Sequence, residues 1–515
     1  MLAVCLLALA LPAGAQVPAP PSGTSAPLAP AMTDEQRAAA FTTWATSLAS
    51  GNRDAAIAAL TDILDDPSKA PVHGEAYAHL GEAFAELDLK LAAIGAMGRG
   101  LALDPVHTAT VAPKALALVQ ELGESGLVGE AVGKNVGIQV EPAARNELAL
   151  VAARYQLDHA SYGPALGILM MGSKDGEKFE DVELMRGIVL SQQDKHADAI
   201  APLLTALALG IQHDRDEKWV NTANLDVARA YYSSGNYGQA ITYYAKIERS
   251  SDWWLDAQFE RAWAHFRGND VNGALAMLYT HDSPFFTDFF YPEADLLRAY
   301  SLFVMCKFTD ATKEMDAFAA KYEPIQKELA GLSLSPKDAY ADVVAFRDDQ
   351  TTRIPTYVLR PFRHEQRLTD AMATVERSED ELKTIGKKLS GRGAAVATEL
   401  VETQRDARIE VEGQRVLGRI DAAKATLGSM LEGIEITRLD VLNLEAQMYE
   451  RAAATGVLDY GSHLAALKDM KKKRRGFHVW PWQGEYWADE LGWFVFSARP
   501  DCPESMARGE GTDTP

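Results

Sequence analysis

EAYAHLGEAFAELDLKLAAIGAMGRGLALDP, residues 75–105, places Tyr77, Leu80, Gly81, Phe84, Ala93, Met97 and Pro105 at the spacing of two short antiparallel helices joined by a tight turn. The physical core of the pattern is a small residue on the first helix, Gly81, facing a small residue twelve positions later on the second, Ala93. Two backbones then approach closely and larger side chains fill the space on either side. The same register places small-position candidates at Trp44, Gly81, Val119, Ala153, Gly187, Ala228, Ala262 and Ala299, with partners Ala56, Ala93, Ala131, Ala165, Ala199, Ala240, Ala274 and Ala311. Because alanine chose the frame, the position four residues after each partner is the fairer test. Leu60, Met97, Leu169, Leu203, Tyr244, Leu278 and Met315 are large and apolar there, and only Asn135 fails. Trp44 and Val119 fit a small position poorly. SSGNYGQAITYYAKI (233–247) and FRGNDVNGALAMLY (266–279) repeat one Gly-Asn turn and one alanine at matching offsets.

Residues 36–325 resemble the tetratricopeptide repeat (TPR) family, which implies an all-α solenoid of about eight helical pairs. The resemblance also implies that the first helix of each pair lines a concave face suited to a peptide or partner helix. In the last three pairs the positions turned to that face hold Leu225, Arg229 and Tyr232, then Phe259, Trp263 and Phe266, then Leu296, Tyr300 and Phe303. Left open they would exceed the apolar patch a monomer normally exposes, so a partner-binding groove is expected at Arg229, Tyr232, Phe259, Trp263, Phe266, Tyr300 and Phe303. The plainer alternative is packing between repeats.

A mixed connecting segment follows at 326–361, then a helical hairpin at 362–455 with its turn at Ser390-Gly391-Arg392-Gly393. Ile409, Val416, Ile420, Ala423, Leu427, Met430, Ile434, Val441, Leu444 and Met448 keep a 3-4 spacing along the longer arm, a coiled-coil seam. Leu368, Met372, Val375, Leu382 and Leu389 answer it on the shorter arm. An arm of roughly 90 Å outruns the shorter one, so the solenoid or a second copy in a homodimer is expected to cover the seam. Residues 456–476 read as a helix ending in the basic run Lys471, Lys472, Lys473, Arg474 and Arg475, a contact for an anionic membrane surface, a cell-wall polymer or an acidic partner or, more plainly, a solvated helix end.

HVWPWQGEYWADELGWFVFSARPDC, residues 478–502, gathers Trp480, Trp482, Trp487 and Trp493 in one short stretch. Glu485 to Leu491 can form a short helix stopped by Gly492, and Trp493 to Ser497 alternates like a strand. So small a motif has no core of its own, so residues 477–502 are expected to dock, through the tryptophans, on the groove or on the base of the hairpin. GEYWADELGWFVF followed by a cysteine resembles the tail of envelope TPR proteins of gram-negative bacteria, some tied to gliding motility, which implies an accessory scaffold of an envelope complex. Residues 503–515 read as a disordered tail.

Residues 1–15 form a short apolar leader ending in Ala13-Gly14-Ala15, the small-x-small form cut by signal peptidase, although the usual basic start is missing. Leu2-Ala3-Val4-Cys5 only partly matches a lipoprotein box, since the apolar run continues past Cys5. Export to the periplasm, with a Pro/Ala-rich linker at 16–35, is the expectation. Cleavage leaves Cys306 and Cys502, too few for a CxxC or zinc cluster but a candidate disulfide in an oxidising compartment.

A formal charge of -21 over 515 residues opposes a general nucleic-acid role. His364-Glu365 opens like a zinc-protease helix, but Leu368 stands where the second histidine belongs. GxxxxGK[ST] and GxSxG motifs are absent from the sequence. The expectation is a non-catalytic scaffold for protein partners in the cell envelope, with no catalytic residues, metal or cofactor. The rival reading is an accessory subunit that binds or helps process peptidoglycan through its tryptophans.

Overall fold

The structure, a computed structural model, describes residues 32–122, 142–158, 160–286, 289–363, 365–455 and 484–502. The leader, most of the linker, Ala131, Asn135, residues 456–483 with the basic run Lys471 to Arg475 and with Trp480 and Trp482, and the residues after Cys502 lie outside the described residues. All regular elements among the described residues are helical, and the chain is all-α.

Helix α1 (Asp34–Ala40) starts at a capping box between Thr33 and Gln36. Helices then come in pairs: α2 (Thr42–Ala49) with α3 (Arg53–Asp65), and α4 (His73–Glu86) with α5 (Lys90–Leu103). After α6 (Ala112–Leu122) come α7 (Pro142–Asp158) with α8 (Tyr162–Leu169), and α9 (Phe179–Gln192) with α10 (His196–Gln212). Three more pairs follow: α11 (Glu217–Ser233) with α12 (Tyr237–Tyr244), α13 (Trp254–Arg267) with α14 (Val271–His281), and α15 (Pro292–Val304) with α16 (Phe308–Ala330).

The pairs are held by the small-against-large fit that their sequence carries. Gly81, Ala153, Gly187, Ala228, Ala262 and Ala299 are buried on the first helices, facing buried Ala93, Ala165, Ala199, Ala240, Ala274 and Ala311. Leu60, Met97, Leu169, Leu203, Tyr244, Leu278 and Met315 are each at most 2% exposed. A Cβ on Gly81 would lie 2.5 Å from Met97 Cγ, and one on Gly187 2.4 Å from Leu203 Cγ, so a side chain there would force the helices apart. This is a TPR-like helical pair.

A second repeating feature sits seven residues after every register position whose turn lies among the described residues. Gly51, Asp88, Ala160, Asp194, Gly235, Asn269 and Cys306 all have positive φ, between 54° and 82°. Each closes its first helix as a Schellman turn: the Leu89 amide, for example, bonds Phe84 O at 3.0 Å, and the Asp88 amide bonds Ala85 O at 3.0 Å. Gly, Asn and Asp tolerate this left-handed conformation best, which accounts for five of the seven residues; Ala160 and Cys306 adopt it against their preference.

The chain divides into two compact units, one drawn from residues up to Leu209 and from Leu334–Arg419, the other from Gly210–Ser333 and from Ile420 onward. In the first, α17 (Pro336–Arg347) and α18 (Thr356–Leu359) are tied by Asp342, which accepts from the Arg353 and Ile354 amides at 2.8 and 2.9 Å. The hairpin arms are α19 (Gln366–Lys388) and α20 (Gly391–Thr455), antiparallel, with Arg367 and Arg415 both donating to buried Glu412 at 3.1 and 2.8 Å. Val396, Ala397, Leu400 and Val401 join Ile57, Leu89 and Leu91 in one core. Helix α5 begins after Leu89, which has no side-chain acceptor to offer. Glu381 of α19 supplies one, accepting from the Leu91 and Ala92 amides at 2.9 and 2.8 Å, a helix cap delivered from a distant part of the chain.

In the second unit the remainder of α20 buries Ile420, Leu427, Met430, Ile434 and Val441. Arg438 donates to Asp316 at 2.7 Å, and a Cβ on Gly433 would sit 3.2 Å from the Tyr300 hydroxyl. These seam positions are therefore covered within one chain, and burying them requires no second subunit.

The glycine at position 81 tests the close approach. Gly81→Val should destabilise the first unit by about 1–3 kcal/mol through overpacking. Gly163→Ala, where a Cβ meets nothing within 4 Å, should be neutral or stabilise by up to about 1 kcal/mol. Urea unfolding followed by circular dichroism reads both, and equal effects would refute the steric account.

Candidate partner-binding site

The groove expected on the last three pairs is not an open surface. Phe259 and Phe303 are 6% and 9% exposed, Phe259 lying against His281 and Tyr291 at ring distances of 6.0 and 5.7 Å and Phe303 against Phe308 at 6.1 Å. Arg229 donates from Nε to both Glu260 oxygens at 3.1 and 2.9 Å, and the Tyr244 hydroxyl donates to Glu260 at 2.9 Å. Tyr300 lies beside Gly433 of α20. Tyr232 rests on Tyr237 at 5.6 Å, and burial pushes its phenol up to about 12. Trp263 and Phe266 pack edge to face at 5.9 Å, half-buried. The physical reason is that positions facing inward on one repeat also meet the neighbouring repeat and the long helix, so their apolar surface is spent on packing.

Within residues 484–502 the aromatic tail docks, but not through the two tryptophans described there. Trp487 and Trp493 are 61% and 70% exposed. The contacts come from their neighbours. Leu491 is buried with Trp254 and Leu255, and Phe494 and Phe496 lie on Tyr279 at 4.8 and 5.7 Å. Arg249 donates to the carbonyls of Ala488 and Asp489 at 2.8 and 3.1 Å and to that of Leu491. The Gly492 amide donates to Thr280 Oγ1 at 3.0 Å, and with φ at +79° and Trp254 2.9 Å from where a Cβ would stand, only glycine fits. Asn272 pairs with both backbone groups of Ala498, at 2.8 and 3.2 Å. Residues 488–493 form turns rather than the expected helix, because Arg249 takes carbonyls that a helix would use internally, and 494–500 have no regular secondary structure where a strand is expected. Cys502 is bonded to Cys306, the left-handed turn residue of the last pair, with Cα atoms 5.0 Å apart, and Lys307 pairs with Asp501 at 3.0 Å.

An open site lies instead on the first helices of the opening pairs. A cavity of about 550 Å³ is lined by Trp44 and Leu48 of α2, His79, Glu82, Ala83 and Glu86 of α4, and Lys114, Ala117 and Leu118 of α6, above a floor of Ile57, Leu60 and Met97. Its volume lies within the range of ligand pockets, roughly 300–1,000 Å³. Trp44 stacks on His79 at 4.0 Å, and Leu48 is 51% exposed. The charges at the rim are already paired, Arg53 with Glu86 at 3.1 Å and Lys114 with Glu82. Burial raises the Glu82 pKa, but bonds from Lys114 and His79 outweigh it and hold the carboxyl below its usual range. The site thus offers an apolar, aromatic-edged slot inside a ring of compensated charge. Its one sequence signal was Trp44 standing at a position that asks for a small residue.

Among the described residues, Glu75, Asp104 and His107 bring ligand atoms within 4.8 Å of one another. Arg37 already bonds both carboxylates, at 3.1 Å to Asp104, so a cation is built in. No described helix is long and apolar enough to cross a membrane.

No family profile and no curated protein matches the chain. Solved structures that match include a tetratricopeptide repeat protein from Parabacteroides merdae, at 13% identity and a TM-score of 0.24 over 48% of this chain and 93% of that one. A Naa15/Naa10 structure bound to HypK-THB matches at 15% identity and 0.33, over 85% and 71%. A Rap protein complexed with competence and sporulation factor matches at 13% and 0.23, over 73% and 99%. The assignment of fold rests on the helix pairs themselves.

Two groups give the second unit opposed pH responses. Burial lowers the His281 imidazole to about 4; the unfolded chain takes up a proton near 6.5. Stability from this group is complete above pH 6.5 and declines as pH falls toward 4. Burial raises Asp226 to about 6, so its contribution is complete at low pH and declines as pH rises from about 4 to 6. Each amounts to at most about 3 kcal/mol. In urea titrations at pH 4.5 and 7, His281→Asn should reduce the loss on acidification and Asp226→Asn the loss on raising pH. Unchanged pH dependence in both would refute the burial of these groups. Separately, Cys502→Ser should destabilise the second unit, by up to about 5 kcal/mol in the chain-entropy model, whereas an unchanged unfolding midpoint would show that the tail docks without help from the bond.

Proposed function

We propose that this chain is a non-catalytic adaptor that binds a protein partner through the slot edged by Trp44 and His79. The observation that carries the reading is the combination of an accessible apolar lining, Trp44, Leu48, Ala117 and Leu118, with charges that neutralise one another at the rim. Such a surface rewards an apolar side chain on a peptide or helix and gives no particular welcome to a small ion. Helices that elsewhere bury their inward positions leave them uncovered here.

The finer proposal places the protein in an exported compartment of a bacterial envelope, within a complex that includes motility machinery among the candidates. The apolar leader ending at Ala15 supports it, and so does the bond between Cys306 and Cys502, since disulfides persist mainly in oxidising compartments.

The test is a photo-crosslinking residue at Leu48 or Ala117 in the native host. Expected is a covalent adduct with one protein, lost in Ala83→Trp, which fills the slot while leaving the melting temperature within a few degrees of wild type. N-terminal sequencing of the same material should begin at Gln16. Adducts that survive Ala83→Trp would refute the slot, and an uncleaved chain would refute export.

A further inference from the structure

The docked tail leaves one part of itself unused. Trp487 and Trp493 are the most exposed aromatic side chains among the described residues of the second unit, at 61% and 70%, although their immediate neighbours Tyr486, Leu491 and Phe494 are packed. Two consecutive turns, Glu490 amide to Trp487 O at 3.0 Å and Trp493 amide to Glu490 O at 2.9 Å, keep both rings on one short loop. That loop is held from behind by Arg249, Thr280 and the buried Leu491, and further along by Asn272 and the Cys306–Cys502 bond. Between the two tryptophans lie Asp489 and Glu490, both exposed.

We propose that this loop is a docking site for a basic, Lys- or Arg-bearing segment of a partner protein. Aromatic faces attract cations, tryptophan best of all, and the two carboxylates between them add a charge complement to the same partner. A loop fixed in advance loses little freedom when it binds, which is the usual condition for an aromatic hot spot. The charge pattern argues against an anionic bilayer or an anionic wall polymer, because the carboxylates would be driven against like charge. The site lies in the second unit and is additional to the slot near Trp44; neither depends on the other.

The test uses the full-length oxidised protein and a fluorescein-labelled octalysine peptide, followed by anisotropy at moderate salt. The chain's charge of -21 alone will attract octalysine, so the informative comparison holds charge constant. Trp487→Ala with Trp493→Ala should weaken binding at least tenfold with an unchanged melting temperature, and the corresponding double Phe variant should fall between. Asp489→Asn with Glu490→Gln should weaken it severalfold. Equal affinity in wild type and the double alanine variant would overturn the proposal, as would no binding by wild type. Tryptophan-dependent binding to purified peptidoglycan or to phosphatidylglycerol vesicles in place of octalysine would also overturn it, transferring the loop to a glycan or membrane role.

Discussion

The close crossing of two helices where one carries almost no side chain governs everything else in this protein. Gly81 against Ala93 and Met97, or Gly187 against Ala199 and Leu203, brings backbones near enough for a methyl group to be one too many. A contact this tight fixes the angle and the depth of each pair. It can form only if the chain reverses sharply between the helices. The left-handed residue seven positions on, from Gly51 to Cys306, supplies that reversal and satisfies the carbonyls at the end of the first helix. Steric fit and turn chemistry are two halves of one constraint, and their agreement along the chain is what makes the repeat recognisable.

Stacked pairs leave apolar faces at their outer sides, and here the chain covers several of them itself. In the first unit α19 and the opening of α20 lie on α3 and α5, with Glu381 completing a helix that begins on a leucine. In the second, the later turns of α20 bury their seam and the tail caps α14 with Phe494 and Phe496. Among the surfaces left uncovered are the slot edged by Trp44, the pair of tryptophans on the tail, and Ile436, Leu439 and Leu442 of α20. A chain built this way separates the residues that hold its shape from those left at its surface.

Much of the architecture could be read from the residues because it rests on local rules. Small positions, the large residue four beyond each partner, and the seam at Val416, Ile420, Leu427, Met430 and Ile434 are periodic properties, and periodicity survives in a one-dimensional text. Which face an aromatic residue turns to is not periodic in this sense. Phe259 and Phe303 share a nominal inward position with residues of an open groove, yet neighbouring elements take up their surface. The tail shows the converse. A cluster of tryptophans suggests an anchor, but among the described residues Leu491, Gly492, Phe494 and Phe496 do the anchoring while Trp487 and Trp493 turn outward, because Arg249 organises the turns from a loop more than two hundred residues earlier. Trp44 is visible in the sequence only as a misfit at a small position, a signal it shares with the buried Val119.

The bond between Cys306 and Cys502 turns the last part of the molecule into a covalent ring. Its members are separated by 196 positions, and the ring contains both arms of the helical hairpin. For a chain under mechanical load, this topology matters more than a few kilocalories. Tension applied between the chain ends bypasses the ring, so on the order of 700 Å of potential contour length stays hidden from extension. Under such tension the hairpin inside the ring is not drawn out. Reduction of that bond would release the hidden length to the same tension.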